Sequence, residues 1–364
     1  MRKTRSQFTV TLSLAALLAM LLNSGCAAPS YYSQAVAGHI QLMKQRQDIQ
    51  QILDSGAADP ELTQKLQLSL EIRSFAVAEL DLPDNDSYTQ FVSTGQDAVT
   101  WNVLAAPEFS LAPKKWCFLV SGCVPYRGYF KAGDAERFAK NLDDKGFDTF
   151  VSPAIAYSTL GWFDDPLVDT MFRYDDAQLA AFIFHEMAHQ KLYVKGDTSF
   201  NEAYARFVED SGLERWLAAR DAGIEHDESR WSAQTAQRFN ALIQSLRHRL
   251  EQLYASDQAP AELRAGKSRI FKAFKNDYRQ LVTKHAGGKD PYRHVFAGDL
   301  NNASLALVNA YEGGSCAFEN LFREAAEQMA EFHRLAAAKA RLSATARSDW
   351  LNQPCQIIAS DSDL

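Results

Sequence analysis

The sequence predicts an α+β fold that is mainly helical and contains one small mixed sheet. Two observations lead to this prediction. Apolar residues recur at helical spacing over most of the chain, whereas short β-favouring runs are confined to residues 100–161. Of the 364 residues, 46% are hydrophobic and 23% are charged, which indicates a globular protein and excludes a disordered or collagen-like chain.

We expect residues 1–25 to be a leader and residues 26–364 to form a single domain. The domain is predicted to have a helical N-terminal part, a catalytic core, a helical C-terminal part and a tail, at residues 26–100, 101–225, 226–345 and 346–364. The last residues, after Ala359, are predicted to be disordered.

The leader has the architecture of a signal peptide. Residues 1–5 are basic, residues 8–22 form an apolar stretch, and small residues precede Cys26. This ending resembles the lipobox of bacterial lipoproteins, with Asn23 where an apolar residue is usual. The resemblance implies that Cys26 is acylated and anchors the mature protein to a membrane. By the same analogy, Ala27 favours the periplasmic face of the outer membrane. An ordinary signal peptide is the alternative.

The mature chain is acidic. The formal charge of −7 includes three cations of the leader, so the chain without them carries about −10. Such a charge argues against a phosphate-binding surface, and we expect no nucleic-acid partner.

Five cysteines are an odd number for an exported protein. Acylation of Cys26 leaves an even set in a compartment where disulfides persist. Cys117 and Cys123 are close enough in sequence to bridge a short turn, and Cys316 with Cys355 would then fix the C-terminal tail. Four buried free thiols are the alternative.

Several elements follow in chain order. Residues 33–80 read as two helices, with breaks at Ser55-Gly56 and Asp59-Pro60. Strands are expected at residues 101–104, 116–120 and 149–151, with one helix between them at residues 134–145. Further helices are predicted at residues 176–192, 199–222, 233–254, 261–285 and 316–342.

One predicted helix carries the pattern His185-Glu186-Met187-Ala188-His189. Residues four apart project from the same face of a helix about 6 Å apart along its axis, so the two imidazoles can converge on one metal ion. Glu186 would lie beside that ion, where it can accept a proton from water. The rest of the helix is apolar on every side, and buried histidines need partners there.

A catalytic zinc site that keeps one position open needs a third protein ligand. Glu202 and Glu209 are seven positions apart on the next helix and therefore share a face. Glu202 could bind the metal while Glu209 hydrogen-bonds a ligand histidine. Alternatively, Ser199 and Glu202 form a capping box that occupies the carboxylate at the start of the helix.

Asn201-Glu202-x-x-Ala205-x-x-x-Glu209 after H-E-x-x-H is similar to the corresponding stretch of gluzincin metallopeptidases. Residues 117–128, 156–166, 185–194 and 196–209 more closely resemble a family of bacterial lipoproteins described as putative aminopeptidases. The resemblance extends from about Gly38 to Phe332. It implies a gluzincin-like fold with the small sheet beside the H-E-x-x-H helix.

This resemblance also implies the roles of the site residues. His185, His189 and Glu202 would bind Zn²⁺ and Glu186 would act as general base in peptide hydrolysis. Two features differ from better-known gluzincins. Thirteen positions separate His189 from Glu202, which is shorter than usual, and no G-x-M-E-N segment is present to bind the free amine of a substrate.

Other residues are candidates for substrate contacts. Tyr311 resembles a late tyrosine of the family and could stabilise the oxyanion, with Tyr157 as a second choice; a core or interface tyrosine is the alternative for Tyr311. Residues 154–162 could form an edge strand that pairs with a peptide, or alternatively an ordinary strand and turn. Arg127 could bind a substrate carboxylate or, as is more usual, a buried acid.

Two functions are compatible with these observations. The first is a zinc peptidase in the bacterial cell envelope, acting on peptide substrates and plausible as an aminopeptidase. The second is an envelope lipoprotein that binds peptides or proteins and uses zinc as a structural clamp without catalysis.

Overall fold

The computed structural model describes residues 29–118, 121–159, 161–220, 233–287, 290–311 and 314–354. The leader with Cys26, and the tail with Cys355, lie outside the described residues. In the described part the chain is mainly helical with small sheets, in agreement with the predicted α+β class.

The N-terminal region forms three helices, so the prediction of two was wrong. Helices α1, α2 and α3 span Pro29–Lys44, Ile49–Ser55 and Pro60–Leu80. The additional break occurs because the short strand β1 (Gln47–Asp48) pairs with β2 (Gln90–Val92). The start of α3 follows from local sequence: the Asp59 carboxylate accepts a hydrogen bond from the Leu62 backbone, and Pro60 occupies the first turn.

The strands form three small sheets instead of the single sheet that was predicted. Strand β2 pairs with β1 and with β8 (Leu167–Val168) in a mixed sheet. Strand β3 (Thr100–Pro107) lies between β6 (Tyr126–Tyr129) and β7 (Phe147–Ala154), and both pairings are antiparallel. Strands β4 (Trp116–Phe118) and β5 (Gly122–Val124) form a separate hairpin. Short runs predict strands but carry no information about their partners.

Helix α4 (Ala132–Asp143) packs on β3 and β7 through Ala135, Ala139 and Leu142. A 3₁₀ turn (Asp169–Arg173) leads into the central pair of helices, α5 (Asp176–Lys191) and α6 (Thr198–Ala219). The remaining helices α7 to α13 span Ala233–Tyr254, Pro260–His285, Arg293–Phe296, Asn302–Tyr311, Ser315–Glu324, Met329–Ala340 and Ala344–Leu351.

The predicted helix at residues 316–342 is two helices, α11 and α12. The chain turns between them at Ala326 and Glu327, whose φ angles are 49° and 60°. The turn is closed by a hydrogen bond from the Glu327 N–H to the Phe322 carbonyl. Alanine and glutamate are good helix formers, so their identity gave no signal for this break.

The largest buried cluster surrounds α3, α5 and α6. Helices α5 and α6 run antiparallel and pack closely, because Gly212 lies where they approach each other. A Cβ atom at Gly212 would lie 2.6 Å from Leu80 Cδ1 and 2.9 Å from Phe184 Cδ2. The glycine therefore permits the approach of the two helices that carry the predicted ligands. Among the described residues, no helix is long and apolar enough to cross a membrane.

Candidate metal centre

Helix α5 holds the H-E-x-x-H residues inside the protein. Asp175 caps its first turn by accepting a hydrogen bond from the Gln178 backbone. Most of the helix is buried, including Leu179, Ile183 and Met187. The apolar surroundings explain why imidazole and carboxylate groups here need specific partners.

Helix α6 is fixed relative to the end of α5 by Asn201. Its side-chain oxygen accepts from the Val194 N–H at 2.7 Å, and its amide donates to the Val194 carbonyl at 2.9 Å. Asp197 caps the helix by accepting from the Phe200 N–H. The capping-box alternative for Glu202 is therefore not realised, since the helix begins at Thr198 and Asp197 serves as its cap.

His185, His189 and Glu202 converge, and one ligand atom from each lies within 4.8 Å of the other two. The Nε2 atoms of the two histidines are 3.1 Å apart. The Glu202 carboxylate lies 3.4 Å from Nε2 of His185 and 3.8 Å from Nε2 of His189. Two histidines four apart on one helix and a carboxylate on its neighbour thus form one donor set.

Glu209 contacts the opposite side of the His185 ring. Its Oε2 lies 3.0 Å from Nδ1, and its other oxygen lies 3.6 Å from the guanidinium of Arg206. An Nδ1–H that donates to Glu209 leaves the lone pair of Nε2 directed at Glu202 and His189. This is the tautomer that a metal-binding histidine requires.

The donor set fits a cation. Burial lowers the pKa of His189 to about 4, with a smaller contribution from His185, so its ring is neutral. Burial also disfavours charge on His185, but the carboxylates of Glu202 and Glu209 outweigh it and raise its pKa. Burial raises the pKa of Glu202, and the two histidines more than offset this and lower it. Two converging imidazoles and a carboxylate match the ligands that zinc prefers, and His185 would lose its Nε2 proton when a cation binds.

Glu186 lies beside this donor set in a buried environment. Burial, together with the Glu202 and Asp165 carboxylates, raises its pKa to about 7, although His185 and a hydrogen bond from Ser158 oppose the change. A carboxylate with this pKa can both accept and release a proton near neutral pH.

A model of the family described as "Putative aminopeptidase" matches residues 30–351. The chain belongs to this family. No curated protein and no solved structure matched the chain. The matched region includes the whole donor set, Glu186 and Glu209, so the site lies within the part of the chain that the family shares.

Sequence reasoning missed Asp165, a second buried carboxylate near Glu186. Its oxygens accept from the Thr159 N–H at 2.9 Å and the Gln190 amide at 3.1 Å, and Ser158 Oγ lies at 3.4 Å. Burial raises its pKa to about 6 despite these hydrogen bonds. Ser158 therefore lies between two carboxylates, and Gln190, next to His189, connects the loop to α5.

Three phenols also face the carboxylates. Tyr88 is buried with a φ angle of 63°, and its hydroxyl has no partner among the described residues. Burial, and then Glu186 and Asp165, raise its pKa. Burial and Glu202 raise the pKa of Tyr126 and that of Tyr193, the latter to about 12. Non-glycine residues seldom adopt a positive φ, so Tyr88 is a strained residue beside the site.

The structure places the other candidates as follows. The backbone of Tyr311 ends α10, which packs against α6, and its side chain lies outside the described residues. The Tyr157 hydroxyl lies 2.9 Å from Nδ1 of His39. The guanidinium of Arg127 lies 4.1 Å and 4.4 Å from the ring centres of Tyr31 and Phe138, and among the described residues it forms no ion pair with an acid.

The prediction of an edge strand at residues 154–162 was wrong, because β7 ends at Ala154. The following chain folds into a loop whose Thr159 N–H donates to Asp165 and whose Trp162 N–H donates to the Thr159 carbonyl. These hydrogen bonds join residues of the loop to one another, so the segment forms a turn and not an extended strand.

A disulfide joins Cys117 and Cys123 across the β4–β5 hairpin. The turn of this hairpin contacts the segment before α6: the Ser121 carbonyl accepts from the Tyr193 hydroxyl at 3.2 Å and from the Gly196 N–H at 3.1 Å. The hairpin therefore supports the connection between α5 and α6.

Cys316 is disulfide-bonded, and its predicted partner Cys355 lies outside the described residues.

Proposed function

We propose that this protein hydrolyses peptide bonds with a zinc ion held by His185, His189 and Glu202 and with Glu186 as general base. The observation that carries the proposal is the convergence of the three donors beside Glu186, a partly buried carboxylate whose pKa is raised to about 7. Membership of a family described as "Putative aminopeptidase" supports the same reaction class. The gluzincin assignment is part of this proposal.

Zinc in such a site would act as a Lewis acid and would lower the pKa of the attacking water to about 7. The residues of the chain supply the remaining functions. Glu209 keeps His185 in the tautomer that presents Nε2 to the site. Glu186 accepts a proton from the attacking water and delivers it to the nitrogen of the leaving amine. Its raised pKa suits both transfers.

The oxyanion of the tetrahedral intermediate needs a hydrogen-bond donor. Tyr311 stays our candidate from the sequence, and the position of its helix against α6 and β3 supports it. Aminopeptidase action is also part of the proposal, since the family description suggests it.

Two further parts of the proposal concern location. Acylation of Cys26 would anchor the protein by lipid, facing the periplasm from the outer membrane. Mass spectrometry of the mature N-terminus tests this, and an unmodified Cys26 behind an uncleaved leader would contradict it.

The experiment is digestion of a defined peptide library with the purified protein, after its zinc content has been measured. Glu186→Gln is expected to keep zinc and to lower the cleavage rate by about 10²–10⁴-fold, because the general base is lost. Glu214→Gln removes the same charge from an exposed site on α6 and is expected to leave cleavage unchanged. Equal rates for Glu186→Gln and the parent would refute the mechanism.

The positions of the cuts give the mode of action. Release of single residues from amino termini supports an aminopeptidase, whereas internal cuts support an endopeptidase. Zinc bound with no cleavage of any peptide would refute the peptidase proposal and favour the structural clamp.

A further inference from the structure

An exposed apolar surface lies between α1 and the loop of residues 155–165. Large apolar side chains with high exposure are few among the described residues, and four of them belong to this surface: Val36 (55%), Ile40 (46%), Trp162 (67%) and Phe163 (57%). Ile40, Trp162 and Phe163 line one cleft, and Val36 lies one helical turn before Ile40. We call these four residues the aromatic face.

Contacts within the loop and with α1 hold part of the aromatic face in its exposed position. Thr159 Oγ1 donates to the Phe163 carbonyl at 2.9 Å and accepts from the Phe163 N–H at 3.0 Å. The ring of Phe163 lies 4.9 Å from that of His39 on α1, and Arg46 donates to the Asp164 carbonyl. These contacts hold the loop in place while the side chains of Trp162 and Phe163 are exposed to solvent.

The cleft beside the aromatic face carries two basic residues, Lys44 and Arg46, and one acidic residue, Asp164. Residues 29–47 include Lys44 and Arg46 but no aspartate or glutamate, in a chain whose formal charge is −7. Lys44 and Arg46 line the same cleft as Trp162 and Phe163. Exposed aromatic residues with basic neighbours are typical of surfaces that lie at the headgroup level of a membrane.

The aromatic face is also close to the N-terminal end of the described chain. Helix α1 begins at Pro29, three positions after Cys26. Three extended residues span at most about 11 Å. Val36 lies seven positions along α1, which adds about 10 Å. An acyl chain on Cys26 would therefore hold Val36, at one end of the aromatic face, within about 20 Å of the bilayer.

We propose that the aromatic face docks on the surface of a bilayer that contains anionic lipid. Trp162 and Phe163 would lie at the headgroup boundary, and Lys44 and Arg46 would face the lipid phosphates. The inference rests on the acylation proposed for Cys26 for its tether, but the contact itself comes from the exposed side chains and their charge. Docking would also fix the loop that carries Ser158 and Asp165 beside Glu186, so the catalytic centre would lie near the membrane.

Tryptophan fluorescence tests this proposal with the full acylated chain in vesicles of phosphatidylethanolamine and phosphatidylglycerol, part of which carry brominated acyl chains. The chain has six tryptophans, so the signal of Trp162 is the difference between the parent and Trp162→Phe. We expect brominated lipid to quench the parent and most of that quenching to be absent from Trp162→Phe. Trp101→Phe, which removes a partly buried tryptophan of β3, is expected to leave it unchanged.

A second pair of variants tests the charge. Lys44→Glu is expected to lower the ratio of docked to undocked protein at least about fivefold, since each basic residue near an anionic surface contributes about that factor. Lys272→Glu reverses an exposed charge on α8 and is expected to have no effect. Equal effects of the two variants would overturn the role of Lys44 in docking.

Equal quenching of the parent and Trp162→Phe, or no quenching of either, would overturn the proposal. Self-association that Trp162→Ser abolishes, without quenching by lipid, would instead assign the aromatic face to a second copy of the chain. Peptide cleavage in detergent and the mass of the N-terminus are measured on the same samples. A protein that docks but does not cleave refutes the proposed function alone, and one that cleaves but does not dock refutes this inference alone.

Discussion

Replacement of Glu209 by glutamine tests whether this residue supports the metal centre through His185. Glu209 Oε2 lies 3.0 Å from Nδ1 of His185, on the side of the ring away from Glu202. An amide oxygen can still accept from Nδ1–H but carries no charge, so the imidazole becomes a weaker ligand. Loss of such a partner costs about 10- to 100-fold in metal affinity, or about 1.4–2.7 kcal/mol. The pair is largely buried, which limits solvent screening.

The assay is competition for zinc between the protein and a chelator of known affinity. Glu209→Gln is expected to bind zinc at least tenfold more weakly than the parent, while Glu214→Gln, on the exposed side of the same helix, is expected to match the parent. Glu209→Ala would weaken binding further, because Nδ1–H would lose its acceptor. Equal zinc affinity in the Glu209 and Glu214 variants would show that Glu209 does not act on the metal centre.

Two further predictions concern stability. His333 accepts from the Tyr204 hydroxyl and donates to the Leu80 carbonyl, and burial lowers its pKa to about 4 from about 6.5 in the unfolded chain. Between these two pKa values the unfolded state binds more protons than the folded state. The stabilising contribution of the neutral ring is therefore complete above pH 6.5, and the free energy of unfolding falls by about 2 kcal/mol at pH 5. Urea titration at several pH values should show that this dependence on pH is weaker in His333→Gln. Gly212→Ala is expected to lower the free energy of unfolding, since overpacking of about 1–3 kcal/mol exceeds the helix-propensity gain of about 1 kcal/mol. A more stable Gly212→Ala protein would contradict the close approach of α5 and α6.

The helices and the ligand motif could be predicted because their signals are local. Each ligand-bearing helix is defined by apolar residues and by an aspartate cap, and the spacing of His185 and His189 fixes their common face. The third candidate donor, Glu202, could not be assigned from the sequence alone, because Ser199 and Glu202 also match a capping-box pattern. Only the position of Asp197 at the start of α6 decides between the two interpretations.

Other parts of the site depend on contacts between distant segments. Asp165 and Ser158 lie in a loop whose sequence resembles a strand and turn, and the loop is fixed by Gln190 and Ser87 from other elements. Tyr88 lies beside the site with a positive φ angle, which is rare for tyrosine and which the sequence therefore does not predict. Sequence patterns with a period of two or 3.6 carry no information about such contacts.

The short interval of thirteen positions between His189 and Glu202 is compatible with one shared donor set. Helix α5 continues only to Lys191, and α6 begins at Thr198, so six residues connect two antiparallel helices. The Asn201 side chain accepts from the Val194 N–H and donates to the Val194 carbonyl, which fixes this connection. Glu202 is the next residue, and it consequently faces His185 and His189 across the helix pair. The short interval thus follows from a short connection between α5 and α6, and it still allows the three candidate donors to converge.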